Sequence, residues 1–195
     1  LCTVMVLLAP GFASAAGINL SWDDCGTAGT SNRDFACNTN SGLHVLVGSF
    51  VAPEGITALV GVAATLDLWS APDSVGTAMP SWWNFAAGGC RSGSLSVSFD
   101  FTSGPSTCID PWGGGATGGK DYAFESPFDN RAVLRLVGAV PTTAAVSLDV
   151  DEEYYAFKIV LNSVKTTGTG SCSGCADPVS IAITSLTLAQ ITPAP

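Results

Sequence analysis

The strongest constraint in this sequence is an alternation with a period of two. Leu95, Val97, Phe99 and Phe101 alternate with Ser94, Ser96, Ser98 and Asp100. Successive side chains of a β-strand point to opposite faces, so this pattern predicts a strand with one buried face. The period recurs along the chain. Ile18, Leu20 and Trp22 alternate with Asn19 and Ser21, and Ala58, Val60, Val62, Ala64, Leu66 and Leu68 make one long face, as in a central strand. Leu43 to Val51 is apolar on both faces, with Val45, Val47 and Val51 on one and Leu46 and Phe50 on the other, which fits a strand covered on both sides. Leu134 and Leu136 flank Arg135, and Val146, Leu148 and Val150 flank Ser147 and Asp149. Tyr155, Phe157, Ile159 and Leu161 read as an inward set opposite Tyr154 and Lys158. Near the end Val179, Ile181 and Ile183 share one parity while Leu186 and Leu188 share the other. A one-residue slip would turn every later side chain to the wrong face, so a β-bulge is expected at Thr184 or Ser185.

These runs predict eight or nine strands punctuated by Gly, Pro, Ser and Thr, with no long amphipathic helix. Pro80 to Ala87 reads as one helical turn. Gly26 to Gly42 and Gly104 to Pro127 read as irregular. The expected fold class is all-β, a single-domain two-sheet β-sandwich of jelly-roll type with disulfide-stapled loops. Residues 17–191 form the domain, and 192–195 a Pro-rich tail.

The first 16 residues have a different character. Leu1 to Ala9 is apolar, Pro10 and Gly11 follow, and Ala13-Ser14-Ala15-Ala16-Gly17 offers a small-residue cleavage site. This is the pattern of a signal peptide lacking its basic N-terminal part, and it is shorter than the ~20 residues of a membrane span. Cys2 would leave with it. The remaining six cysteines, Cys25, Cys37, Cys90, Cys108, Cys172 and Cys175, then read as a disulfide framework. Nearness along the chain suggests Cys25–Cys37, Cys90–Cys108 and Cys172–Cys175. Cys172-Ser173-Gly174-Cys175 also has the spacing of a redox dithiol or half a zinc site. A redox motif needs a following helix to lower the thiol pKa, whereas Ala176-Asp177-Pro178 leads into a strand-like run. A zinc site needs further ligands, and His44 is the sole histidine. A structural disulfide is the favoured reading.

The formal charge of -9 repels nucleic-acid backbones and anionic membrane surfaces. No cofactor is expected, with calcium as the possible exception. Asp149, Asp151 and Glu152 supply oxygen ligands, as do Asp23-Asp24, but neither has the EF-hand spacing, and a solvated turn is the simpler reading. Gly114 to Lys120 resembles a phosphate loop but continues into Asp121 where a hydroxyl must hold magnesium, so a flexible glycine loop is expected. There is no G-x-S-x-G elbow, and His44 sits in an apolar strand. A glycosidase would need two facing carboxylates, drawn from Glu54, Glu125, Glu152, Glu153 and the aspartates. Trp82, Trp83 and Trp112, with Asp110, are candidates for stacking on sugar rings, whereas Trp22 and Trp69 read as core residues.

The segments Asn19 to Gly26, Phe35 to Asn40, Pro80 to Trp83, Glu153 to Lys158 and Gly168 to Cys175 resemble a group of small exported bacterial β-rich proteins that has no assigned activity. The resemblance implies export and carries over no functional residue. The expected function is that of a non-catalytic secreted module, extracellular or at the cell surface, for display, assembly or binding. Its partners would be further copies or cell-surface glycans. The alternatives are a carbohydrate-binding module using the loop tryptophans and a small secreted glycoside hydrolase.

Overall fold

The computed structural model describes residues 17–70 and 78–191. The leader and the Pro-rich tail read from the sequence lie outside the described residues. Among the described residues there are eight strands: β1 Ile18–Trp22, β2 Leu43–Val51, β3 Leu59–Ser70, β4 Leu95–Ser98, β5 Thr117–Glu125, β6 Phe128–Ala139, β7 Glu153–Asn162 and β8 Val179–Gln190. They form two four-stranded antiparallel sheets, ordered β1-β2-β7-β4 and β5-β6-β3-β8. The helical turn expected at Pro80 is a single 3₁₀ turn, Ser81–Trp83. No helix among the described residues is long and apolar enough to cross a membrane.

Across the sheet edges β1 meets β8 and β4 meets β5. The neighbour order therefore closes into a ring, 1-2-7-4-5-6-3-8. This is the ring of a jelly roll, in which a long hairpin (1 beside 8, 2 beside 7, 3 beside 6, 4 beside 5) is wound over itself. The 2–7 and 3–6 pairs are hydrogen-bonded here. The 1–8 and 4–5 neighbours face each other without a ladder. The ring thus has two open seams.

The main core lies between the sheets. Val62, Ala64, Leu66 and Leu68 of β3 and Leu134 and Leu136 of β6 face Leu46, Phe50, Tyr154, Phe157, Ile159 and Leu161 of the other sheet. The bulge expected near Thr184 is present: Ser185 pairs with Thr65 and Ile183 with Leu66, leaving Thr184 extra. Both parities of β8 then face inward. A second bulge was not foreseen. Gly48 pairs with Phe157 and Ser49 with Tyr155, so Ala156 is extra. That bulge turns Tyr155 away from the inward set and Tyr154 into the core. Tyr155 joins Cys25, Val47 and Phe101 in a small second core on the outer face of its sheet.

Three strand expectations are corrected. Val146 to Val150 makes one isolated bridge, Leu59 with Val146, and no strand. The strand at Leu95 ends at Ser98, where Asp100 folds back to accept from the Thr102 N–H at 2.8 Å. Thr117–Glu125, read as part of an irregular glycine loop, is an edge strand. A side chain at Gly118 would meet the Phe99 ring at 2.6 Å, so close packing explains that glycine and no phosphate cradle is needed. Trp69, read as core, has the opposite parity to the inward set of β3 and packs outside, against Arg131 at 4.7 Å and Phe128.

The cysteine pairing is also corrected. The bonds are Cys25–Cys108, Cys37–Cys175 and Cys90–Cys172. Each joins segments that are far apart in sequence and adjacent in space. Jelly-roll winding brings the β1–β2, β3–β4 and β7–β8 connections to one end, where Cys37–Cys175 and Cys90–Cys172 form, while Cys25–Cys108 ties the β1–β2 connection to the β4–β5 connection beside the small outer core; sequence distance reveals neither.

Candidate functional site

The 1–8 seam holds a cleft of about 600 Å3. Leu20 and Trp22 of β1 form one wall, and Val179, Ser180 and Ile181 of β8 the other. Leu46 and Trp83 lie at its base, and the loop Ser31 to Phe35 and the segment Cys175 to Pro178 form the lip. Phe35 fixes that loop. Its ring packs edge-on to Trp22 and Trp83, each with centroids at 5.6 Å, and to His44 at 4.8 Å. The Cys37–Cys175 bond then ties one lip segment to the other.

Both walls present unbonded backbone. Trp22 exchanges its N–H and C=O with Thr30, while Gly17 C=O and Asp23 N–H bond to β2. Strand groups alternate in direction, so Ile18 and Leu20 turn theirs away from β2. On the other sheet, Val60 C=O and Ser70 C=O accept bonds from the β6 side. The odd residues of β3 therefore serve β8, where Trp69 pairs with Ser180 and Asp67 with Ala182. Val179, Ile181 and Ile183 turn their N–H and C=O outward. Among the described residues no group bonds the outward N–H or C=O of Ile18, Leu20, Val179, Ile181 or Ile183.

The lip is acidic. Arg33 pairs with Asp23, whereas Asp34 and Asp177 form no ion pair among the described residues.

The other candidate residues are placed elsewhere. Trp82 and Trp83 are buried, at 0% and 2% exposure, and offer no open face to a sugar. Trp82 Nε1–H donates to Thr166 Oγ1 at 2.9 Å, and the Arg91 guanidinium stacks over its ring at 3.6 Å. Trp112 is partly buried against the core. Asp110 accepts from the backbone N–H groups of Trp112 and Gly114, at 3.0 and 2.9 Å, so its carboxylate shapes its own turn. Trp82 and Trp83 thus follow the alternative of burial and offer no platform for stacking.

Asp149, Asp151 and Glu152 are exposed on the turn before β7 and do not converge. Among the described residues the one close group of three metal-donor types is Cys25, Cys108 and Glu153, and its cysteines are joined in a disulfide. Asp24 accepts from Cys25 N–H, Thr107 Oγ1 and Tyr155 Oη at 2.8, 2.5 and 2.8 Å. Burial alone would raise its pKa, but these bonds together outweigh it and hold the carboxyl below its ordinary value. Of the possible glycosidase acids, Glu54 and Glu152 are exposed. Glu125 pairs with Arg131, and Glu153 accepts from Asn19 and Ser49.

His44 and Ser163 do meet, at 3.1 Å between Nε2 and Oγ. The pair is wired in the wrong direction for nucleophilic attack. Arg33 can only donate, so His44 Nδ1, at 3.3 Å, accepts from it. Nε2 then carries the proton and donates to Ser163, the reverse of a triad in which the histidine takes the serine proton. Burial, and next the Arg33 charge, lower the His44 pKa. Ser163 is also buried.

No family model, curated protein or solved structure matches the chain. The functional reading therefore rests on geometry. Sequence inspection missed the cleft because Ser31 to Phe35 lies in a run without period. Phe35, the one large apolar residue in that run, was its only signal.

Proposed function

We propose that this chain is an exported, non-catalytic module that works outside the cell by binding or assembly, and that the 1–8 seam is its contact surface. The observation that carries the reading is the cleft itself, into whose seam Leu20, Val179 and Ile181 turn unbonded backbone groups and whose lip is clamped by a disulfide. Three disulfides fit an oxidising compartment. The reversed Ser163–His44 hydrogen bond argues against serine chemistry.

The test is to close the cleft mouth with bulk at exposed positions. Asn32→Trp and Ser180→Trp should abolish attachment of the purified chain to isolated cell-envelope protein and polysaccharide. Ser96→Trp, on the strand at the opposite edge of the sandwich, should leave attachment intact. Attachment that survives both cleft variants, or a monomer that attaches to neither fraction, would overturn the proposal.

A further inference from the structure

We infer that the seam cleft is a pocket for a small aryl amine, its ammonium at the acidic lip and a hydrogen-bond acceptor on the far side of its ring reaching Trp83. The inference rests on the binding reading above and names the ligand class.

The size of the occupant follows from how the seam is closed. At their closest, Cα atoms of β1 and β8 lie within 8 Å of each other, and Thr30 already bonds the outer edge of Trp22. Neighbouring strands lie ~4.8 Å apart, so a strand inserted between two others needs them ~10 Å apart. The seam has no such room. Its open space is the cleft of about 600 Å3, within the roughly 300–1,000 Å3 of small-molecule pockets.

The observation that points to a ligand is at the base. Trp82 and Trp83 are adjacent and both are buried. Trp82 Nε1–H donates to Thr166 Oγ1, whereas Trp83 Nε1–H has no acceptor among the described residues. A buried donor left unpaired is destabilising and rare in folded proteins. Trp83 lines two spaces, the cleft and a void of about 10 Å3 beneath it, and Leu46 and Ile181 line both as well. Apart from the Trp83 indole the void is lined by apolar side chains, so a water there would lack the several polar partners it needs. The acceptor therefore comes from the cleft. Nε1 is covered in the empty cleft, so the acceptor reaches it as the side chains over it shift. Trp112 Nε1 is unpaired too, but Trp112 lines neither space.

The lip sets the other end of the ligand. Asp34 and Asp177 are exposed there and form no ion pair among the described residues. Arg33, the cation of the lip, is held by Asp23. The chain as a whole carries -9, so an ammonium is favoured and a carboxylate opposed. Between lip and base the walls are Leu20 and Trp22 on one side and Val179 and Ile181 on the other, a passage suited to an apolar ring. A sugar would need open aromatic faces, and Trp22 and Trp83 are buried.

The experiment titrates isotopically labelled chain with tyramine and follows backbone amide and indole N–H signals. One control, phenethylamine, lacks the phenol oxygen. The other, 3-(4-hydroxyphenyl)propionate, carries a carboxylate in place of the ammonium. Saturable shifts at Leu20 and Val179 to Ile181, and movement of the Trp83 indole signal, are expected with tyramine. Loss of the phenol oxygen should weaken binding about tenfold, the value of one hydrogen bond, and reversal of the charge about fivefold or more. Trp83→Phe should remove the advantage of tyramine over phenethylamine, and Asp34→Asn with Asp177→Asn should narrow that of the amine over the carboxylate. Both acids are exposed, so the double variant keeps the fold. Should Trp83→Phe fail to fold, the comparison of tyramine with phenethylamine on the parent chain decides. Equal affinity of the parent for those two amines, a Trp83 indole signal that stays still, or tighter binding of the carboxylate would overturn the inference. Tyramine should also displace the chain from cell-envelope material. If no amine binds while Asn32→Trp and Ser180→Trp still abolish attachment, the amine inference fails and the binding reading stands. If tyramine fills the cleft without displacing the chain, the amine inference stands and the contact-surface reading fails. If the chain neither binds an amine nor attaches, both fail.

Discussion

Replacing Arg91 by Met should cost this protein about 4 kcal/mol of stability. Arg91 is the one fully buried cation among the described residues, and no carboxylate faces it. Its guanidinium donates to three backbone carbonyls, Val164 and Trp82 at 3.1 Å each and Asn162. It also stacks on Trp82 at 3.6 Å and approaches Phe85 at 5.2 Å. A hydrogen bond from a charged donor contributes roughly 1.5–3 kcal/mol net, and a desolvated cation–π contact about 2. Against this stands the cost of burying the charge. Burial lowers the pKa from 12.5 to about 10, which corresponds to roughly 3 kcal/mol at 1.36 kcal/mol per pH unit. Methionine removes that cost and most of the stacking, but leaves three carbonyls without donors. Arg91→Lys keeps the charge, yet one ammonium cannot reproduce the planar fork, so it should lose about 2–3 kcal/mol. Urea unfolding at pH 7 reads both variants as shifts in midpoint at constant slope. A methionine variant within about 1 kcal/mol of the parent would refute the reasoning, because the guanidinium would then be a passive filler.

Four further outcomes follow from the geometry. Peptide mapping without reduction should return Cys25–Cys108, Cys37–Cys175 and Cys90–Cys172, and Cys37→Ser with Cys175→Ser should lose about 4–5 kcal/mol in the chain-entropy model. The Asp24 carboxyl is held below its unfolded value, so its contribution is present above about pH 4 and is lost as pH falls further; Asp24→Asn should flatten acid unfolding curves in that window. Burial chiefly raises Tyr155 to about 12, so its contribution is complete below pH 10 and is lost as pH climbs through 12; Tyr155→Phe should weaken that alkaline dependence in circular dichroism melts. Gly48→Ala should cost about 1–3 kcal/mol by overpacking in the same melts, because the added methyl would strike the Phe157 ring.

Legibility in the sequence followed the range of the physics. Period-two burial is local, so β3, the helical turn at Ser81 and the slip at Thr184 were readable from neighbours alone. The bulge at Ala156 was not, because Tyr154 and Tyr155 are both aromatic and either satisfies an apolar face. Thr117–Glu125 was missed for the opposite reason. Two of its residues, Gly118 and Gly119, carry no side chain to show a parity, and Gly118 is needed under the ring of Phe99, just beyond the end of β4. The disulfides depend wholly on winding, which brings loops distant in sequence together at one end of the sandwich and, for Cys25–Cys108, on the outer face of one sheet. Trp82 and Trp83 sit in a turn-rich segment that reads as surface. They are buried because Phe35, Arg91 and Thr166, from three other segments, close over them.

The same chemistry explains why the ring is open where it is. β1 is fastened to β2 by its ladder and to β7 by side chains: Asn19 and Ser49 both donate to Glu153, at 2.8 and 2.6 Å. Beyond its end, Asp24 bonds Tyr155, and Cys25 is joined to Cys108. These contacts hold β1 on the sheet of Tyr155 and Glu153. β8 has one ladder, to β3, and apolar packing below it. The two edges are thus secured by separate bonds, and none of those bonds crosses the seam. At the lip the Cys37–Cys175 bond spans the two, and Thr30 exchanges N–H and C=O with Trp22 on the outer edge of β1. Each edge is held to its own sheet, so the ring stays without a ladder at the seam even where β1 meets β8.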